Sequence, residues 1–563
     1  MKLILKEYLS SLKERDELDA ILPDLLSTLG LSVFSKPGKG TRQYGVDVAA
    51  YGSLNGGDET VYLFSIKAGD ITRNSWNGDA HQALRPSLDE IIDTYIPNRI
   101  PNQYKNKPIA ICLCFGGYIQ EQVRDMVEGY INRNSAKGLS FEEWNGDKLA
   151  KLILQSFLRE ELLPKKQQSL LRKSLALIDE PDISFKHYAN LISILADTDK
   201  KTAKQKLMIL RQLNICLWIL YSWSRDASNL ESAYLSAERT LLYSWDISSK
   251  YLDKKYKQAK EIIITFHSIQ SLYRQICNDF VRKILPHASK LHGLSSAVQG
   301  SDKVDINFKM FDLLGRISLN GIWSYWYLSI SAEVEQKAIL RKDVQLHFRL
   351  LKEMIVNNPI LYCPYKDNQV VDVSLASWLL FIDPQYHDDV HNWLLNLIRS
   401  AGFSYKTDGK YPIIGNDYYK HLNHPPKKST KEYKEDATSA SVLYPTIAAL
   451  SAVAQFEDIY TEIQAFKKEC LDHCTFQFWY PDETSEERFY TNVDIHGAAL
   501  TNIPIEKSST EFLSEIIREC DETTHFDELS PIKFGIFPLI LVACRHYRLP
   551  MPVHFIKMLK RSC

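Results

Sequence analysis

Apolar residues recur at helical spacing over residues 4–29, interrupted by Pro23, which predicts a kinked helix or two short ones closed by Gly30. Residues 31–34 then read as a short strand and 36–42 as a basic loop holding Lys36, Lys39 and Arg42. Residues 45–51 alternate like a half-buried strand, 55–58 (Asn-Gly-Gly-Asp) supply a turn that tolerates positive φ, and 61–67 are β-branched and aromatic enough for a second strand. On that strand the period of two puts Ser65 and Lys67 on one face with Ile66 behind them, and a hairpin would bring Asp47 toward the same face. Ser87 and Glu90 form a capping-box pattern that predicts a helix over 88–95. The apolar run 108–115 fits a strand buried on both faces, followed by a helix over 119–132, a strand over 139–144 and a helix opening at Gly146. The expected N-terminal domain, residues 1–165, is therefore α/β.

Beyond it the period changes. Leu207, Leu210, Leu213, Leu217 and Leu220 keep a three-to-four spacing, as do Ile262, Phe266, Ile269, Leu272 and Ile276. A mainly α-helical domain is expected over 166–404, a polar loop or linker over 405–440, and a helical C-terminal region over 441–563. In that last region 476–480 and 489–492 allow a small hairpin, and Ser508 with Glu511 makes another capping box. The aromatic cluster at 323–327 reads as helix-packing core in preference to a base-stacking platform.

Composition narrows the function classes without selecting one. Hydrophobic residues are 45% of 563 and charged residues 24%, ordinary for a globular protein of two or three domains. A net charge of -1 gives no overall steering toward nucleic acid, so a DNA-binding surface must be a local basic patch. The 10 cysteines lack disulfide-scaffold spacing and the chain opens without a secretory leader, which predicts reduced thiols and a cytoplasmic location. No apolar run is long enough to span a membrane. Cys470, His473 and Cys474 resemble half a zinc site but have no second pair, and His421, His424, Asp494 and His496 also lack partners in sequence. There is no phosphate-binding loop of the G-x-x-x-x-G-K-[ST] kind, so an energy-driven step would need another subunit.

The chemistry concentrates at the predicted hairpin. An acid on one strand and a lysine on the next can hold a divalent cation beside a cationic side chain near a phosphodiester. Gly45-x-Asp47, a turn and an apolar strand ending Ser65-x-Lys67 resemble the PD-(D/E)XK nuclease superfamily, in the Mrr-like style of restriction and antiphage-defence nucleases. Residues 18–30, Leu-Asp-Ala-Ile-Leu-Pro-Asp-Leu-Leu-Ser-Thr-Leu-Gly, are similar to the acid-bearing first helix of that group, and 142–150 resemble the tail of its domains in defence proteins. The resemblance implies a restriction-endonuclease-like fold, a mixed sheet flanked by helices, and a metal-dependent DNA endonuclease subunit using Mg²⁺, with Mn²⁺ as an alternative. It implies that Asp47 and Asp19 bind the metal with the Ile66 carbonyl, and that Lys67 assists the nucleophile. Lys36, Lys39, Arg42 and Arg73 would contact phosphates. An ATPase or helicase subunit is the expected partner, in a homo-oligomer or hetero-complex. The superfamily carries Asp, Glu or Gln where this chain has Ser65, a poor Mg²⁺ ligand. Either another acid substitutes (Asp58, Glu59, Asp70 and Glu90 stand nearby in the chain) or the domain is a degenerate scaffold that binds without cleaving.

Overall fold

The computed structural model describes residues 5–6, 9–10, 12, 14, 18–35, 43–54, 56–78, 83–156, 165–197, 201–298, 300–427, 429–491 and 496–560. Near the N-terminus five strands lie side by side in chain order: β1 (Ser32–Ser35), β2 (Val48–Gly52), β3 (Thr60–Lys67), β4 (Ile109–Phe115) and β5 (Leu139–Trp144). β1 pairs antiparallel with β2, and β2 with β3. β4 and β5 each follow a helical crossover and join parallel. The sheet is mixed, as the resemblance implies, and a large mainly helical region follows it.

Alternation along β3 divides the core. Val61 and Leu63, with Ile111 and Leu113 of β4, pack under helices α2 (Arg73–Asn77), α3 (Leu84–Glu90, running on helically to Arg99) and α4 (Glu121–Asn134). Tyr62, Phe64 and Ile66 turn to the opposite face, where the Phe64 ring meets Trp144 edge-on at 5.0 Å. There α1 (Asp19–Thr28) packs against β1, β2 and α5 (Gly146–Ser156). β4 is buried on both faces, which is why its sequence is apolar throughout.

Two local expectations need correction. Pro23 sits inside α1 and does not break it. Ser87 is not an N-cap, because α3 begins at Leu84 and the Ser87 hydroxyl donates to the Ala83 carbonyl at 3.0 Å. Burial of Leu84 and Leu88 on one face extends the helix by a turn past the local capping signal.

The chain forms two compact units, residues 1–240 with 250–272 and residues 241–249 with 273–563. The first therefore holds the sheet together with α6 (Lys165–Ala176), α7 (Pro181–Leu195) and α8 (Ala203–Asp226), and the expected boundary near 165 lies within it. α8 is joined to the sheet's own helices: Arg211 donates to Thr28 at the end of α1 (2.9 Å) and pairs with Glu261 (3.3 Å).

In the second unit the helix Lys303–Ile330 packs against Val334–Asn357, Val370–Leu380 and Pro538–Tyr547. Its interior holds Asp312, paired with Arg316 (2.6 Å) and Arg545 (2.7 Å), and Asp372, paired with Arg548 (2.6 Å). Trp323 and Trp326 are buried and meet edge to face, as a packing core requires. The stretch 405–440, expected as a polar loop or linker, carries two short helices, Tyr418–Leu422 and Lys431–Ala437, and buries Tyr411, His421 and His424. The small hairpin differs from its expected form. Phe478–Tyr480 pairs antiparallel with Ala498–Leu500, while Ser485–Arg488 is helical and Phe489 and Tyr490 are buried. Among the described residues no helix is long and apolar enough to cross a membrane.

Candidate functional site

At the end of β3 the chain changes its pairing, antiparallel to β2 on one side and parallel to β4 on the other. Clefts in mixed and parallel sheets open at such carboxyl ends, where backbone groups are no longer consumed by the ladder. Val48 lies opposite Phe64, so Asp47 follows the register to the last residues of β3. Its main-chain N–H donates to the Phe64 carbonyl (2.8 Å), and its carboxylate accepts the Ile66 N–H at 2.7 Å. Asp47 thus replaces a strand partner at the ladder's end and is held against Ser65, Ile66 and Lys67. The negative charge of Asp47 reaches the neighbouring strand. The Cys114 thiol, opposite Ile66, is pushed well up, first by burial and then by Asp47.

Lys67 is almost enclosed, with its side chain 9% exposed, and its ammonium pairs with the Glu14 carboxylate at 3.3 Å. Glu14, on the segment ahead of α1, is an acid the sequence pattern did not single out. The pattern had pointed to Asp19, which is half-buried in the first turn of α1. A second acid near the apolar frame of residues 4–29 was the signal available, but only the tertiary position of Lys67 selects it.

Ser65 is 1% exposed, and its hydroxyl has no hydrogen-bond partner among the described residues. The four acids considered as substitutes have other positions. Glu59 stands at the start of β3, bound to Lys107 (2.6 Å) and the Tyr51 hydroxyl, and Asp58 is exposed in the preceding turn. Asp70 accepts the Tyr118 N–H at 3.1 Å and ties two loops together. Glu90 ends α3, half-buried. Arg73 opens α2 directly after β3 and is exposed. Lys36, Lys39 and Arg42 lie outside the described residues.

Among the described residues no three His, Cys, Asp or Glu side chains gather as a metal cage. Mg²⁺ does not require one, since it keeps several waters and takes one or two carboxylates. The Asp47 carboxylate and the main-chain carbonyls at the end of β3 are oxygen donors of the kind such a hard cation takes. The remaining candidates are structural. His473 makes a 2.8 Å contact with the Thr438 hydroxyl, and burial pushes the Cys474 thiol up to about 12, away from the thiolate that zinc needs. His421 and His424 are buried, His496 packs against Trp479 and Phe489, and Asp494 lies outside the described residues. No protein-family model, curated protein or solved structure matches this chain.

Proposed function

We propose that the protein is a metal-dependent DNA endonuclease subunit whose centre lies at the end of β3. The observation that carries this reading is the placement of an acid and a lysine at the end of β3: the Asp47 carboxylate accepts the Ile66 N–H at 2.7 Å, and Lys67 pairs with Glu14 at 3.3 Å. The resemblance to PD-(D/E)XK nucleases supports it, as does a mixed sheet in which β3 is flanked by one antiparallel and one parallel neighbour. Asp47 would hold Mg²⁺ together with main-chain oxygen at Ile66, and Glu14 takes the role that the sequence pattern gave to Asp19. The cation would act as a Lewis acid on the phosphate and acidify a bound water. Lys67 offsets the charge that builds on the phosphoryl oxygens, and its near-complete burial strengthens that interaction. Glu14 orients the ammonium. Arg73, exposed beside the site, would contact backbone phosphate without reading sequence. A role in restriction or antiphage defence, in the cytoplasm and with an ATPase or helicase partner, rests on the family resemblance alone.

A second reading has one observation in its favour. Ser65 supplies a buried hydroxyl where the superfamily has an acid or amide, which suits a scaffold that binds nucleic acid without cutting it.

The test is cleavage of supercoiled plasmid by the purified full chain with Mg²⁺, Mn²⁺ or EDTA, beside Asp47→Ala, Lys67→Ala and Glu14→Ala variants whose folding is verified by circular dichroism. Metal-dependent nicking that falls about 100-fold or more in the first two variants is expected. Cleavage untouched by the substitutions overturns the assignment. Retained plasmid binding with no cleavage, with or without the neighbouring gene product, selects the scaffold.

A further inference from the structure

Two stretches of the first compact unit carry a positive charge that the rest of the chain does not share. Residues 197–211 and 250–261 together hold nine lysines and one arginine against four acids, an excess of six positive charges in a chain whose total is -1. Taking in Asp246, just ahead in the chain, still leaves five. The fold brings the two stretches together. α8 and the helix Lys257–Ala288 run side by side in the same direction, since Arg211 of α8 pairs with Glu261 at 3.3 Å and Asn214, further along, donates to Ser268 at 3.1 Å. Their first turns therefore share one end, where the Lys206 ammonium lies 5.9 Å from the centre of the Tyr251 ring. The Arg211–Glu261 pair neutralises itself, and what remains at that end is lysine. Lys204, Lys254, Lys255, Lys257 and Lys260 are exposed and make no ion pair among the described residues. Neither helix has an acid in its first turn. The positive end of a helix dipole favours Asp and Glu there and disfavours lysine, so these lysines are placed against local helix preference, a conflict that proteins tolerate at functional surfaces.

Crowded lysines without partners repel one another and attract a polyanion. A duplex suits them best, because each lysine that meets a phosphate releases a condensed counterion. Single strands are held by stacking successive bases on several aromatic side chains, and membranes by a broad apolar face. Among the described residues the large apolar side chains exposed in or just past these stretches are Tyr256 and Ile264, which provide neither. We propose that this end of the first unit binds the phosphate backbone of duplex nucleic acid, with Lys254, Lys255, Lys257 and Lys260 on phosphates beside Lys204. Such contacts position a duplex without reading its sequence. They supply the local basic patch that a chain of net charge -1 needs to hold DNA. The surface goes beyond the cleavage reading and does not depend on it.

Fluorescence-anisotropy titration of the full chain with a labelled DNA duplex of about 20 base pairs, in EDTA and at salt between roughly 50 and 200 mM, tests the proposal. No cleavage is read, so an inactive centre at the end of β3 leaves the measurement intact. One variant is Lys254→Gln/Lys255→Gln/Lys257→Gln/Lys260→Gln. The control removes the same charge from exposed lysines of the second unit, Lys342→Gln/Lys427→Gln/Lys468→Gln/Lys533→Gln. Glutamine keeps helix propensity, so both variants should fold. The parent is expected to bind, with affinity at least about tenfold weaker in the first variant and a salt slope shallower by about two or more, while the control keeps the parent values. The proposal is overturned if the parent does not bind the duplex, if the two variants lose affinity equally, or if a single strand of the same length binds more tightly than the duplex. Cosedimentation with phosphatidylserine vesicles completes the test. Vesicle binding lost in the first variant while its duplex binding is unchanged assigns the surface to a membrane and also overturns the proposal.

Discussion

Gly45 shows how much a single position constrains the site. The chain passes it at φ +78°, and a Cβ there would overlap the carbonyl oxygen of Ser87 in α3. Only glycine combines that backbone with that approach, and the approach sets where Asp47, two residues on, meets β3. Gly45→Ala should destabilise the N-terminal unit by about 3 kcal/mol, from left-handed strain plus backbone overlap, read as lost hydrogen-exchange protection of β2 and β3 amides. Unchanged protection would mean that the close packing of Gly45 under α3 is not kept in solution. Gly116 is held similarly, since a Cβ there would overlap the Leu9 carbonyl oxygen. At the same scale, the sequence predicted that Ser65 and Lys67 share one face of β3, because strand alternation is local and rigid. It did not identify Glu14, whose place beside Lys67 depends on how the first helical segment lies across the sheet.

Among elements, the two capping-box patterns separate local signal from packing. Ser508 does cap its helix: its hydroxyl accepts the Glu511 N–H, and Glu511 returns to Ser508. Ser87 has the same pattern and lies inside α3, where burial of Leu84 and Leu88 dominates. Ser508→Ala should cost about 1 kcal/mol, seen as faster exchange in the first turns of Ser509–Glu522. Ser87→Ala should change stability by no more than about 0.5 kcal/mol, because alanine's better helix propensity offsets the local bond to Ala83. Equal effects at both positions would contradict the assignment of α3's start. The hairpin near the C-terminus teaches the same lesson. Its first strand was legible, but burial of Phe489 and Tyr490 carries the second to Ala498–Leu500.

For the molecule as a whole, the second unit contains a built-in acid sensitivity. Burial lowers His424 and His554 to about 4, helped at His424 by Lys410, against an ordinary value of about 6.5. Between about 4 and 6.5 the unfolded chain binds these protons and the folded chain does not, so their contribution is complete above about 6.5 and is lost as pH falls toward 4. Melting of the second unit should therefore drop from pH 7 to pH 5, and the drop should shrink in a His424→Gln/His554→Gln variant. Comparing that variant with the parent cancels other groups such as Asp367 and Asp372, which burial raises. A drop of equal size in both proteins would remove these histidines as its source. Across the chain, sequence alone determined the five strands, the helical remainder and the shared face of Ser65 and Lys67, because periodicity, turn chemistry and strand alternation act over a few residues. Tertiary structure decided the rest. It paired the strands into a mixed sheet, set Glu14 beside Lys67, left the Ser65 hydroxyl without a hydrogen bond among the described residues, and joined α8 to α1 within one unit. Each of these depends on side chains far apart in the sequence, whose approach is fixed by how whole faces bury together and not by any local pattern.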